Sequence, residues 1–432
     1  MAQTAANAAK PTSMWALLRD PRYLAFWMAG ALIGVVRWFQ LLALGVFTFE
    51  LTGSPLLVSI VPLLSMAPMA MFGPIIGAVA DRVDRKLLFA VSIAGICITS
   101  AVMGAIALSG TLHFGHVAFI AFMNGIFWAT DMPIRRRLLG DLSGDALPTA
   151  MSLDAATGNG TRMLGPLLGG AVLQFVGVQG IFLFSAAVYG LCIVLVLFVR
   201  VQGSAKAAIP TSLIHDLRAG IQYVRGDMHL RRILGITVIF NVFGFPFTSM
   251  IPVIGKVHLA QDSFWTGVVS SLEGLGALLG AILIAMIARP GNYYPIYLRG
   301  TIGYILAIYV LAISLFFING MPEAFGLVAT VLVIAGMCGA SFAAMQSTLT
   351  YLGAAPEYRS RVLGVLTLCI GAAPFGFLNV GWMASMWGAP LALFIMASEG
   401  LIMLLLLRLT TPIGKPDPGH YSASQDQLTA KP

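Results

Sequence analysis

Residues 77–86 read GAVADRVDRK and lie between the second and third of roughly a dozen apolar stretches, each about 20 residues long. A stretch of that length with few charges predicts a helix that spans a lipid bilayer. The segment itself supplies a glycine at the end of one predicted helix, then an acid and a cluster of Arg and Lys before the next helix. Because basic residues collect in loops on the cytoplasmic side of a membrane, this loop is predicted to be cytoplasmic.

The composition of the whole chain also indicates a membrane protein. Of 432 residues, 58% are hydrophobic and 10% are charged, whereas about a quarter of a soluble globular protein is charged. We therefore predict an all-α membrane protein with twelve transmembrane helices. The predicted spans lie near 24–48, 55–79, 87–109, 116–137, 151–176, 180–200, 232–255, 265–288, 297–318, 323–349, 361–384 and 388–410.

The distribution of positive charge predicts the orientation. Suppose that the N-terminus is cytoplasmic and that residues at the ends of spans are counted with the adjoining loops. Of the 25 Lys and Arg residues, all but Arg37, Arg162 and Lys256 then fall in the tails or inner loops. This asymmetry predicts a multi-pass protein with both termini in the cytoplasm. It also accounts for the net positive charge, so no nucleic-acid partner is expected.

A long interruption of apolar sequence divides the predicted spans into two groups of six. Within it, residues 213–225 place apolar side chains at three- and four-residue spacing, which predicts an amphipathic helix along the cytoplasmic membrane surface. Both tails are rich in small and polar residues and are expected to be disordered. The predicted organisation is a tail, a six-helix bundle, a linker, a second six-helix bundle and a second tail, at 1–13, 14–200, 201–230, 231–411 and 412–432.

The segment 77–86 carries a predicted cytoplasmic gate. A glycine lets two helices approach closely, and Asp81 can pair with Arg82 or Arg85, or lie at the positive N-terminus of a neighbouring helix. Such a cluster would hold the cytoplasmic side closed in one state and separate in the other. The alternative is a signal for topology alone, since basic inner loops are common. The predicted gating residues are Gly77, Asp81, Arg82, Arg85 and Lys86.

A second motif, NGTRMLGPLLGG at 159–170, lies in the fifth predicted span. Its glycines offer small faces for helix packing, and its proline removes a backbone hydrogen bond and kinks the helix. A bendable, closely packed helix suits a protein that changes shape around a cavity. The residues assigned to this motif are Arg162, Gly165, Pro166, Gly169 and Gly170.

Both motifs resemble those of major facilitator transporters. The segment 77–86 is similar to the loop between helices 2 and 3 of that superfamily, and 159–170 resembles its GPxxGG antiporter signature. The enterobactin-exporter-like, drug:proton antiporter branch is similar at four further segments, 49–55, 131–142, 241–246 and 356–362. The resemblance covers nearly the whole chain and implies the major facilitator fold. The branch includes siderophore exporters, macrolide efflux pumps and lysophospholipid flippases.

Five ionisable residues fall inside predicted spans, where a charge at the bilayer centre costs about 2.5–3.5 kcal/mol. The candidates for substrate binding or proton coupling are Arg37 with its neighbour Gln40, Asp131, Glu273 and Glu399, and Arg162 is the fifth ionisable residue. Asp131 and Arg162 could form a structural ion pair. Arg37 could face the cavity and favour anionic substrates, or pair with Glu273 or Glu399 for stability.

Glu273 is the leading candidate for proton coupling. Leu272, Gly274 and Leu275 flank it, so little nearby sequence can solvate a carboxylate, and burial favours the neutral form of the acid. A substrate site and an inert ion pair remain open for the same residue.

The predicted function is secondary active export of a small amphipathic molecule, siderophore or drug-like, by proton antiport and alternating access. The alternative is a lysophospholipid flippase on the same fold. A phosphate-binding GxxxxGK[ST] loop is absent from the sequence, and the four cysteines lie far apart inside apolar stretches, so no cofactor or metal is expected. The resemblance implies the inner membrane of a bacterium, with protons, the lipid bilayer and a small-molecule substrate as partners of a monomer, and no enzymatic activity.

Overall fold

A computed structural model describes residues 14–80, 83–199 and 213–411. Within these ranges every regular element is helical. The helices are α1 Met14–Arg19, α2 Pro21–Thr52, α3 Pro55–Ala80, α4 Arg85–Leu108, α5 Phe114–Ser143, α6 Leu147–Phe175, α7 Val178–Phe198, α8 Leu213–Gly226, α9 Met228–Phe243, α10 Ile251–Val253, α11 Ser263–Ile287, α12 Tyr293–Phe317, α13 Phe325–Gly353, α14 Arg359–Ile370, α15 Ala373–Trp387 and α16 Ala389–Thr410. Helix α9 continues through a 3-10 segment, α10 and a π turn as far as His258.

The predicted spans correspond to the long helices. In the part of the chain that the structure describes, ten helices are long and apolar enough to cross a membrane. The second and fifth predicted spans coincide with α3 and α6. Helix α3 contains a shorter apolar segment, Pro55–Met69. Helix α6 is more polar, with Asp154 in its first half and Arg162 near its middle. The all-α membrane fold is confirmed, and the number twelve stays a prediction.

Polar side chains at loop positions define where several helices begin. Asp84 accepts a hydrogen bond from the Leu87 amide (2.7 Å) and caps α4, and Asp262 accepts one from the Trp265 amide (2.9 Å) and caps α11. These side chains satisfy backbone N–H groups that a helix start leaves unpaired. Gly53 ends α2 with φ of 63°, a left-handed conformation that favours glycine.

The long helices run up and down through one bundle. We call the end where α2 begins and α16 ends the proximal face, and the opposite end the distal face. Helices α2–α7 form the N-terminal half, and α9–α16 form the C-terminal half. Each half has its own cluster of buried apolar side chains, with Phe26 and Phe89 in the first and Phe240 and Phe342 in the second.

The outer surface of the bundle is apolar. The side chains of Phe175, Phe198 and Phe317 are each 76% exposed. Such exposure of large apolar side chains is unfavourable in water and favourable among lipid tails. Since lipid is as apolar as these side chains, close packing rather than transfer from water holds the helices together. The two halves meet where α6 packs on α11 and where α3 packs on α15.

Helix α8 covers the segment predicted to be an amphipathic helix, and it lies against protein. Its apolar side chains, Leu217, Ile221 and Val224, pack in one cluster with side chains of α14, and Asp216 pairs with Arg361 at 2.9 Å. The expected position along the membrane surface stays a prediction, and side chains of the C-terminal half pack against the apolar face of the helix. The predicted tails, 1–13 and 412–432, and residues 200–212 lie outside the described residues.

Candidate functional site

An ion pair joins the two halves near the middle of the bundle. Nη2 of Arg162 on α6 lies 2.6 Å from Oε1 of Glu273 on α11. The side chain of Glu273 is 5% exposed and that of Arg162 is 22% exposed. The suggested pairing of Asp131 with Arg162 is therefore wrong, because the side chain of Arg162 points towards the C-terminal half.

Two aromatic rings complete the surroundings of this arginine. The guanidinium carbon of Arg162 lies 5.3 Å from the ring centre of Trp38 and 5.8 Å from that of Phe245. Both distances are within the range at which a cation is attracted to the face of a ring. A carboxylate and two ring faces, contributed by both halves, therefore surround one positive charge.

The glycine motif positions Arg162 by letting α6 approach α2. A Cβ built at Gly165 would lie 2.5 Å from Cβ of Trp38, and one built at Gly169 would lie 2.6 Å from the carbonyl oxygen of Phe39. Real Cβ atoms do not come this close, so glycine is required for the observed contact. These contacts hold Trp38 beside Arg162 in the N-terminal half.

The last glycine of the motif faces α11 instead. A Cβ at Gly170 would lie 2.9 Å from Cα of Gly267, and a Cβ at Gly267 would lie 2.6 Å from the carbonyl oxygen of Pro166. Two turns further along α11, a Cβ at Gly274 would lie 2.6 Å from the carbonyl oxygen of Arg162. The two backbones are thus in contact, which brings the Arg162 and Glu273 side chains together. A Cβ at Gly160, by contrast, would meet no described atom of another helix within 4 Å, so the packing role expected of the motif's glycines does not extend to it.

The ion pair lines an open cavity between the halves. Arg162 and Glu273 are the charged members of its described lining, and Ser270, Thr248 and Ser249 supply hydroxyl groups. The remaining lining residues are Trp38, Leu41, Leu42, Gly45, Val58, Pro62, Pro166, Ile251 and Pro252. A mostly apolar pocket with a few polar groups is the usual form of a site for a small organic molecule.

A second cluster of buried charge lies within the N-terminal half. Arg37 on α2 donates to Asp131 on α5, with 2.7 Å between Nη2 and Oδ2. Arg135, one turn along α5, places Nε 3.4 Å from Oδ1 of Asp131 and also pairs with Asp154 on α6. The suggestion that Arg37 pairs with Glu273 or Glu399 is wrong, because Asp131 in its own half is closer. One clue to Arg135 was its spacing, since it stands four residues after Asp131 on the same helix face.

The remaining candidates lie around this cluster or away from it. Gln40 is buried and accepts a hydrogen bond from Asn124 at 2.8 Å. A second cavity beside it is lined by Arg37, Trp38 and Asn124, among others. Glu399, on α16, accepts a hydrogen bond from Asn379 at 3.2 Å and is not a lining residue of either cavity.

A network at the distal face, which the sequence reasoning missed, also joins the halves. Nζ of Lys256 lies 2.6 Å from Oε1 of Glu50 and 3.0 Å from Oγ of Ser263, which donates to Glu50 at 2.9 Å. The Ser263 amide donates to Gln174 at 3.1 Å. We call Glu50, Gln174, Lys256 and Ser263 the distal latch. The signal for it was Lys256, one of the three basic residues that fall outside the predicted tails and inner loops.

The described residues of the predicted gate lie at the proximal face. Nη1 of Arg85 is 3.8 Å from Oδ2 of Asp141 on α5, and Lys86 donates to the carbonyl oxygen of Leu197 on α7 at 2.9 Å. Both contacts stay within the N-terminal half. Gly77 belongs to the last turn of α3, while Asp81 and Arg82 lie outside the described residues. Their expected ion pair therefore stays a prediction.

Comparison with known proteins agrees with this architecture. The staphyloferrin A transporter of Staphylococcus aureus is 22% identical over 84% of this chain and 89% of its own length. Macrolide efflux protein A of Streptococcus pyogenes is 21% identical over 83% of this chain and 88% of its own length. These relatives are consistent with the predicted branch.

The fold is also that of solved transporters. The crystal structure of a mutant of the nucleoside transporter NupG superposes with a TM-score of 0.72, at 15% identity, over 90% of this chain and 99% of its own. Residues 26–376 match the family described as Major Facilitator Superfamily. With helices that cross a membrane many times and a central cavity, the protein is a multi-pass membrane transporter rather than an enzyme. The chain belongs to the Major Facilitator Superfamily.

Proposed function

We propose that the protein exports a small amphipathic molecule, siderophore or drug-like, in exchange for protons. The observation that carries this proposal is the Arg162–Glu273 ion pair, which crosses between the halves inside the central cavity. The relatives named for staphyloferrin A transport and macrolide efflux support a siderophore or a drug as substrate. The mostly apolar cavity lining supports an amphipathic one.

The ion pair offers a way to couple protonation to movement of the halves. A proton on Glu273 would remove the negative charge, and Arg162 would then be left beside a neutral group. Since the pair exists while α6 and α11 are in contact, its loss would weaken that contact. A ligand can shift a conformational equilibrium only by interacting differently with the two states, and this pair provides such a difference.

Alternating access would use one closure at each face. The distal latch holds the halves together in the described arrangement, through the 2.6 Å contact between Lys256 and Glu50. The second closure would be the predicted gate, Gly77, Asp81, Arg82, Arg85 and Lys86, acting at the proximal face in the opposite state. In the arrangement described here, Arg85 contacts α5 and Lys86 contacts α7, both within the N-terminal half. In the opposite state the gate residues would contact the C-terminal half instead and close the proximal face.

The remaining parts of the proposal concern topology and assembly. Both termini would be cytoplasmic, so the proximal face would be cytoplasmic and the latch would lie on the outer side of a bacterial inner membrane. The chain would act as a monomer, with bundles over 14–200 and 231–411 joined by the linker 201–230 and flanked by tails. The concentration of Lys and Arg in the tails and predicted inner loops supports this orientation.

The proposal is tested with purified protein in liposomes under an imposed pH gradient. Siderophores, macrolides and lysophospholipids are added in turn, and proton movement is followed with a pH-sensitive dye. We expect one siderophore or drug class to dissipate the gradient, and protein-free liposomes to show no response. Movement of lysophospholipid without proton movement would favour the flippase instead. A substrate that moves at the same rate with the gradient collapsed by an ionophore would contradict proton exchange.

A further inference from the structure

We infer that the central cavity is built for a cationic amphipath, whose positive group replaces the Arg162 guanidinium beside Glu273; this inference rests on the proposed function. The proposal differs from the sequence-based expectation, in which Arg37 would favour anionic substrates. In the central ion pair, Arg162 is the partner that can move away, and Glu273 is the buried partner that would remain.

The first step is that the site already holds a cation. The Arg162 guanidinium lies against the Glu273 carboxylate at 2.6 Å and within 6 Å of the ring centres of Trp38 and Phe245. A carboxylate and aromatic ring faces are the groups that bind amine and quaternary ammonium ligands. The arginine therefore occupies a place that a protonated amine of a substrate could take.

The second step is the unequal burial of the two partners. Arg162 is 22% exposed and has a long flexible side chain, so its charged end can move towards the open cavity. Glu273 is 5% exposed, and its short side chain is fixed on α11. A buried charge left without a partner is strongly unfavourable. A cation would displace Arg162 into the cavity, whereas an anion bound to Arg162 would leave Glu273 buried and unpaired.

The third step is the rest of the lining. Beyond Arg162 and Glu273, the described lining residues are neutral, and most are apolar, including Leu41, Val58 and Ile251. These side chains suit the apolar body of an amphipath.

The fourth step is that the second charge cluster offers no competing site for an anion. Arg37 and Arg135 face two carboxylates, Asp131 and Asp154, so the charges in this cluster balance. An anion at Arg37 would have to compete with Asp131, which is 1% exposed and belongs to the same half. Displacing it would again leave a buried carboxylate with weaker pairing.

The test measures binding of two ions of matched size and opposite charge, tetraphenylphosphonium and tetraphenylborate. Purified protein in a neutral detergent is titrated with each ion by calorimetry, without any gradient. We expect the phosphonium to bind and the borate to bind more weakly or not at all. Glu273→Gln should weaken phosphonium binding by roughly 30-fold or more, since it removes the partner of a desolvated charge.

Arg162→Gln should bind the phosphonium more tightly than the unsubstituted protein, because the competing guanidinium is gone. Glu323→Gln is the matched control: it makes the same chemical change at an exposed position near the distal face and should leave binding unchanged. Tighter binding of tetraphenylborate, or phosphonium binding that Glu273→Gln does not weaken, would overturn the inference. The comparison of the two ions on the unsubstituted protein needs no variant to fold.

The outcome is separable from that of the liposome experiment. A preference for the anion overturns the cation site whether or not protons drive transport. A preference for the cation supports the site even if the liposome experiment shows that transport is independent of the pH gradient.

Discussion

Two clusters of buried ion pairs stand out among the described residues, and they differ in which parts of the fold contribute to them. Arg37, Asp131, Arg135 and Asp154 all belong to the N-terminal half. Arg162 and Glu273 belong to different halves and meet across α6 and α11. A rigid movement of one half against the other leaves the first cluster intact and separates the second.

The two clusters also differ in how many ion-pair partners their residues have. Asp131 contacts two arginines and Arg135 contacts two aspartates, so each of these residues keeps one partner if another is lost. Glu273 forms its ion pair with Arg162 alone among the described residues. A multiply paired cluster within one half suits a structural role. A single pair between halves, lining a cavity, suits a role in transport. Substitutions in the two clusters should therefore have different consequences.

The largest effect on stability is expected for Asp131→Asn. The change leaves Arg37 and part of Arg135 facing a neutral amide, and breaking a buried ion pair from one side costs about 3–5 kcal/mol. Unfolding of the purified protein in detergent measures this loss. Asp20→Asn is the control, because Asp20 pairs with Arg22 at the surface, where ion pairs contribute about 0–1 kcal/mol. Unchanged stability of Asp131→Asn together with lost transport would mean that this cluster is functional.

A smaller loss is expected for Gly267→Ala. The new Cβ would meet the Pro166 carbonyl oxygen at 2.6 Å and Cα of Gly170 at 2.9 Å, so α6 and α11 must separate. Overpacking of this kind costs about 1–3 kcal/mol. The same unfolding assay measures it, with Gly95→Ala as control, since a Cβ at Gly95 would meet no described atom of another helix within 4 Å. Equal stability of the two variants would show that the contact between halves is looser than described.

A change in the distal latch should shift the balance between states modestly. Lys256 is 19% exposed and Glu50 is 39% exposed, and ion pairs near the surface contribute about 0–1 kcal/mol. Lys256→Gln should therefore raise the fraction of molecules open at the distal face by a few-fold at most. Spin labels at Leu51 and Met321, both exposed, would report this as longer distances between the halves. The double swap Glu50→Lys with Lys256→Glu should restore the closed distances; failure to do so would exclude an ion-pair latch.

The smallest effect is expected for Glu399→Gln. Glu399 is half-buried and bonds to the amide of Asn379, and a glutamine can form a similar hydrogen bond. It is also not a lining residue of either cavity, unlike Glu273, the proposed coupling site. Proton-driven transport by this variant should match that of the unsubstituted protein in liposomes. A loss of proton coupling in this variant would assign the proton site to α16 instead.

The sequence predicted the helices well because the bilayer sets their length. The predicted span 265–288 corresponds to α11, Ser263–Ile287, and 388–410 corresponds to α16, Ala389–Thr410. Apolar length alone is sufficient for such predictions. The glycine motif of α6 was likewise recognised, because close helix contact requires small residues.

The partners of the buried charges could not be predicted in the same way. Arg162 and Asp131 stand on helices of one half, so pairing them was reasonable, yet the rotation of α6 directs Arg162 towards α11. Rotation and tilt of a helix depend on packing against all its neighbours and not on its own periodicity. The spacing of Gly169 and Gly170 held part of the answer, since adjacent helical residues face different directions and so contact two different neighbours.

The central claim is that Glu273 carries the coupling between protons and substrate. The most direct test is Glu273→Gln in liposomes, with the substrate that the panel identifies, measured in two modes. In the first mode a pH gradient drives net transport, and in the second labelled substrate exchanges across the membrane without a gradient. We predict that gradient-driven transport falls to the level of protein-free liposomes while exchange persists, because glutamine cannot take up and release a proton. Gradient-driven transport at the unsubstituted rate would contradict the account.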